Sequence, residues 1–160
     1  MDQESRATIV GELVELIEKG NAHVSFDDAV ADLPEELRTV IPENLPYSIW
    51  QLVEHMRITQ KDILVFSSSD NYKPMKWPDN YWTENKESVS DADWNNSLKE
   101  IKKDRDSFFE LLKNNQNDLF QPFEWGDGQN LFREAVLIAD HNSYHTAEIV
   151  VIRRLLKAWR

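Results

Sequence analysis

Apolar residues recur at helical spacing in four long stretches of this chain. In the first, about residues 4–19, Ile9, Leu13, Leu16 and Ile17 share a stripe, and "KGN" supplies a glycine stop. The second opens at Ser48. Ser48 and Gln51 fit an S-x-x-Q capping box, in which the hydroxyl accepts from the third backbone N–H and the amide reaches back. This helix is expected to run to about residue 66, where "SSSDN" interrupts it. The third, about residues 89–115, carries Trp94, Leu98, Ile101, Phe108 and Leu112 and ends in "NNQND". The fourth follows "GDGQN", with Asn130 as its N-cap, and is expected to continue to about Trp159.

No segment alternates with period two for long enough to predict a strand. The expected fold class is therefore all-α, a four-helix bundle with long inter-helix links. Residues 20–47 form one link, with three prolines and room for a short helix in "FDDAVADL". Residues 67–88 form another, containing "YKPMKWPDNYW". Long links in a compact domain are often functional. The chain shows no internal repeat, and 160 residues suit one domain.

Charge narrows the function classes. Asp and Glu outnumber Lys and Arg 29 to 18, a net charge of −11, and such a surface repels phosphate backbones. Nucleic acid is not an expected partner. The late cluster Arg153, Arg154, Lys157 and Arg160 is read as cations at the negative end of the last helix. No apolar run is long enough to span a bilayer, and "MDQESRATIV" lacks the pattern of a signal peptide. There is no cysteine, which excludes thiolate ligands and disulfides and fits a cytoplasmic location.

Only four histidines are present, and "DHNSYHTAE" holds two of them. His141 and His145 are four positions apart, so they project from one helix face and can chelate one ion. Ile138, Ile152 and Leu155 continue that stripe and turn the rings toward the core. The zincin motif needs glutamate where Asn142 stands, so a protease of that class is excluded. His55 lies mid-helix on a stripe with Leu52, Thr59, Asp62 and Phe66. If the second and fourth helices are neighbours, three imidazoles can meet on one ion and leave a position open. The plainer alternative is that each is a packed core histidine bonded to a carbonyl. Spacing alone leaves the two readings even.

"WQLVEHMRITQKDIL" followed by "LIADHNSYHTAEIVVIRRLL" resembles the DinB-like superfamily, which includes YfiT-type metal-dependent hydrolases and thiol transferases. The resemblance covers nearly the whole chain. It implies a four-helix bundle, often dimeric, with a divalent metal held by His55, His141 and His145. Many members follow the last ligand with x-Gly-Gln, whereas this chain has Ala147 and Glu148. Ala147 is expected to loosen close helix packing slightly. Glu148 projects onto the ligand face. It could hydrogen-bond a ligand's second nitrogen, act as a fourth ligand, serve as the catalytic base, or simply face solvent.

Other candidates are weaker. His23 is expected to be a loop contact rather than a group over the site mouth. Asp62 and Asp140 could orient imidazoles, though Asp62 is too far along its helix to reach His55 directly. Trp77, Tyr81 and Trp82 could pin the second link to the bundle and shape an apolar pocket.

The expected function is a divalent-metal-dependent enzyme, with zinc or nickel before iron or copper. It would act on a small-molecule substrate by hydrolysis or by transfer of a low-molecular-weight thiol. Any nucleophilic sulfur must come from a cosubstrate. The alternative is a non-catalytic bundle with structural histidines, acting as a stress-related binding protein.

Overall fold

The structure is a computed structural model and describes residues 1–159. Arg160, the last member of the basic cluster, lies outside the described residues. The elements are α1 (Gln3–Lys19), the short α2 (Phe26–Val30), a single 3-10 turn (Glu35–Leu37), α3 (Ile49–Ser68), α4 (Asp91–Lys113) and α5 (Leu131–Leu155). The described residues contain no strand, and none of their helices is long and apolar enough to cross a membrane.

The helix ends follow from local chemistry. Gly20 ends α1 at φ 72°, a left-handed conformation that costs glycine little, and its N–H bonds the Leu16 carbonyl. Ser48 and Gln51 form the reciprocal capping box of α3. The Asn130 side chain accepts from the Arg133 N–H at the start of α5. Ser25 caps α2, inside the segment expected to hold a short helix.

The last helix is shorter than its periodicity suggests, ending at Leu155 rather than Trp159. Lys157 adopts φ 57°. The Ala158 N–H returns to the Arg153 carbonyl, and the Lys157 N–H to that of Arg154. This is a Schellman ending, with lysine in the place glycine usually takes. Leu155 is exposed and does not join the core stripe. Arg153 is buried; its guanidinium donates to the carbonyls of Ala158, Ala29 and Ala31. Of the described members of the basic cluster, Arg153 is thus a clamp, while Arg154 and Lys157 are exposed at the helix end.

Helices α3 and α5 pack side by side, α4 flanks α3, and α1 closes the bundle against α5 and α4. Helix α2 lies on α5. The interior divides into two apolar blocks. One gathers Ile49, Leu52, Val53, Met56, Trp94, Ile101, Ile149 and Ile152 around α2. The other gathers Leu13, Ile63, Leu64, Phe108, Leu112, Leu131, Ala135 and Ile138 around α1. Between them lies a polar waist. Gln60 donates to the Ile101 carbonyl (2.7 Å), Glu54 accepts from Ser97 (2.6 Å) and Arg57 (2.8 Å), and Lys61 pairs with Asp104 (3.1 Å). The histidines of α3 and α5 sit at this level.

Candidate metal centre

Helices α3 and α5 bring His55, His141 and His145 together, as the spacing allowed. One nitrogen from each ring lies within 4.8 Å of the other two. The Nε2 atoms of His55 and His141 are 3.1 Å apart. Two nitrogens bound at 2.0–2.1 Å to one tetrahedral ion would stand about 3.3 Å apart, so the observed spacing suits a shared ion. His55 and His145 are 2% and 7% exposed, and His141 is half-buried.

The outward-facing nitrogens decide what the inward ones can do. His55 Nδ1 lies 2.9 Å from the carbonyl oxygen of Tyr81. A carbonyl only accepts, so Nδ1 carries the hydrogen and the neutral ring turns a lone pair inward from Nε2. His145 Nδ1 lies 2.7 Å from Glu148 Oε2, and an ionised carboxylate has the same effect. These two rings are therefore set in the tautomer a metal ligand needs.

Burial favours the neutral form of His141 and His55. It pushes the pKa of His141 down to about 3, and repulsion from the His145 and His55 imidazoles adds to the shift. Burial also lowers His55, although the Tyr81 carbonyl opposes it.

Glu148 is half-buried. Besides His145, it accepts from the Tyr47 hydroxyl through Oε1. Burial, together with this carboxylate, raises the Tyr47 pKa, so the phenol stays a donor. Of the roles open to Glu148, this geometry matches the hydrogen bond to a ring's second nitrogen.

The links wall the site with aromatic rings. Trp82 lies flat on His55, with centroids 4.0 Å apart and planes 3° from parallel. Tyr47 also stacks on Trp82, with centroids 5.4 Å apart. Trp77 is 66% exposed and approaches His55 edge-on at 6.5 Å. Tyr144, also exposed, meets His145 edge-on at 5.0 Å.

Other candidates fall elsewhere. His23 is exposed and bonds Ser143 on another face of α5, outside the cluster. It also packs against Gly20, where an added Cβ would come within 2.5 Å of the ring. Asp140 is exposed and does not touch the rings. Ala147 is exposed too, so it loosens no packing. Asp62 reaches His55 only through the link: it accepts from the Tyr81 hydroxyl at 2.6 Å, and the Tyr81 carbonyl holds His55.

Sequence reasoning missed Tyr47 and the Tyr81 carbonyl. Tyr47 directly precedes the capping box, a position where a hydrophobic residue often fixes how the chain enters a helix. That was its only signal. A main-chain carbonyl leaves none.

The profile of the DinB superfamily matches residues 22–149, a span that contains all three clustered histidines. The chain belongs to the DinB superfamily. No curated protein and no solved structure matches it. This DinB-superfamily chain thus combines the helical bundle of its family with a three-histidine cluster able to hold a metal.

Proposed function

We propose that His55, His141 and His145 bind one divalent ion, zinc or nickel before others, and that the protein is a metal-dependent enzyme acting on small molecules. One observation carries this reading: the Tyr81 carbonyl and the Glu148 carboxylate fix two rings so that their lone pairs point at one place. An ion there supplies Lewis acidity, lowering the pKa of a bound thiol or water. Three protein ligands leave it an open position.

The surrounding groups favour thiol transfer over hydrolysis. Glu148 is the carboxylate that contacts a ligand ring, and both its oxygens are engaged. It acts as a positioning residue for His145 and is poorly placed as a free base for water. A low-molecular-weight thiol needs less help from a base, because its proton is lost more readily than that of water. The chain has no cysteine, so the sulfur is a cosubstrate's. Trp77, Trp82 and Tyr144 would exclude water from the reacting atoms. We place this enzyme in the cytoplasm as a single-domain protein that forms a homodimer.

The test is metal content by mass spectrometry for wild type and His141→Ala, followed by a screen of thiols and electrophiles with added zinc or nickel. One ion per chain in wild type, lost in the variant, is expected, with thiol consumption dependent on that ion. Near-zero metal in both after metal loading would sink the reading and leave a structural bundle. Ester or amide cleavage without thiol consumption would move it to hydrolysis.

A further inference from the structure

A second recess adjoins the histidines. It is a cavity of about 440 Å³ between α3, α5 and the two links that precede α4 and α5. On α5, Leu137 and Glu134 line it, one and two turns before His141. On α3, Asp62 lines it, two turns after His55. The cavity therefore continues the same α3–α5 seam, about 5–11 Å along the helices from the rings. Tyr81 joins the two places, with its carbonyl on His55 and its hydroxyl on Asp62.

The lining is acidic and aromatic. Asp62, Asp127 and Glu134 are opposed by the single guanidinium of Arg133. Glu134 is 2% exposed, and Arg133 meets its Oε1 at 2.5 Å. Burial raises the pKa of Glu134, the Arg133 guanidinium opposes the rise, and the charge of Asp62 adds a smaller upward push. The apolar wall includes Phe66, Tyr72 and Trp125. Phe66 and Tyr72 meet edge-on at 5.1 Å, and the Trp125 indole N–H is anchored on the Phe66 carbonyl at 2.8 Å. Paired carboxylates beside aromatic faces attract an organic cation through both charge and ring quadrupole. An anion would meet an excess of negative charge. A bare metal ion would leave most of the volume and the aromatic wall unused.

We propose that this cavity is the substrate-recognition subsite of the histidine centre and that it takes a protonated amine, held by Asp62 and Glu134 against the rings of Phe66, Tyr72 and Trp125. The assignment rests on the catalytic reading of the centre. It implies a substrate whose ammonium group stands one to two helical turns from its reacting atom.

The probe is 2-phenylethylammonium, with 2-phenylethanol and 3-phenylpropionate as neutral and anionic controls. Binding to the full-length protein is followed at about pH 8, well above the ordinary carboxylate range, where the amine keeps its proton. Shifts of the Trp125 indole N–H resonance, assigned with Trp125→Phe, place the ligand in the cavity. The ammonium is expected to bind at least about tenfold more tightly than either control. Glu134→Gln and Asp62→Asn are each expected to weaken it by about tenfold. Equal or tighter binding of either control, or unchanged ammonium binding in both variants, overturns the proposal. If Glu134→Gln does not fold, the result for Asp62→Asn, at a half-buried position, decides.

All arms are run on metal-free and metal-loaded protein. Ammonium selectivity without metal binding would retain the cavity's ligand class and remove the catalytic reading. Metal binding without ammonium selectivity would do the reverse.

Discussion

Two buried polar groups of residues occupy the same level of the bundle, on two sides of α3. Toward α4, Glu54 takes hydrogen bonds from Ser97 and both ends of the Arg57 fork, and Gln60 donates to the Ile101 carbonyl. Toward α5, His55 and His145 have their outer nitrogens tied, and one nitrogen of each of the three histidines crowds into the same place. The first group answers its own demands: each buried polar atom has a partner within the protein. The second is set up to be completed by something else. Burying polar atoms costs free energy in both cases. Only the second arrangement has a place where a bound ion could offset that cost.

The sharpest way to break the first group is Glu54→Ala, which strands Arg57 and Ser97. We expect a loss of about 2–3 kcal/mol in chemical denaturation, with metal stoichiometry unchanged in the folded protein. A parallel loss of metal would mean that the two groups are one network. The matching change on the other side is Glu148→Gln. It should lower metal affinity by about 10–100-fold in competition with a chelator, with little change in the metal-free denaturation midpoint. Unchanged affinity would remove Glu148 from the centre. Tyr47→Phe deletes the donor to the other Glu148 oxygen and should weaken metal binding by about two- to fivefold, less than Glu148→Gln.

The smallest effect is a pH slope from the adjoining cavity. Burial raises the folded-state pKa of Glu134 above its unfolded value. Between those two values the native state binds more protons than the unfolded one. Stability from this group is therefore present at low pH and falls as pH rises through the window. Glu134→Gln should remove that slope in denaturation series run upward from about pH 4.5. An identical slope in the variant would assign it to another group.

The helical frame was legible because periodicity and caps are local. Gly20, Ser48 with Gln51, and Asn130 each act within one turn of where they stand. His141 and His145 share a face for the same reason. Bringing His55 to them required knowing which helices are neighbours, which spacing does not encode; the family resemblance supplied it. The hidden parts are those made by irregular backbone. The Tyr81 carbonyl is aimed by the fold of the second link, and every residue has a carbonyl. The end of α5 was misjudged because lysine at 157, not glycine, takes the left-handed turn. Asp62 looked too distant from His55, and along the helix it is. The contact runs through Tyr81, whose two ends touch both residues.

The indole that lies face to face with His55 gives the protein a built-in optical probe. An ion with unpaired electrons, such as nickel or copper, would dim that fluorophore at contact range, whereas closed-shell zinc would leave it bright. Titrating the unlabelled chain with an open-shell ion, with and without zinc added first, and then repeating with Trp82→Phe, would thus report the arrival of that ion and its exclusion by zinc.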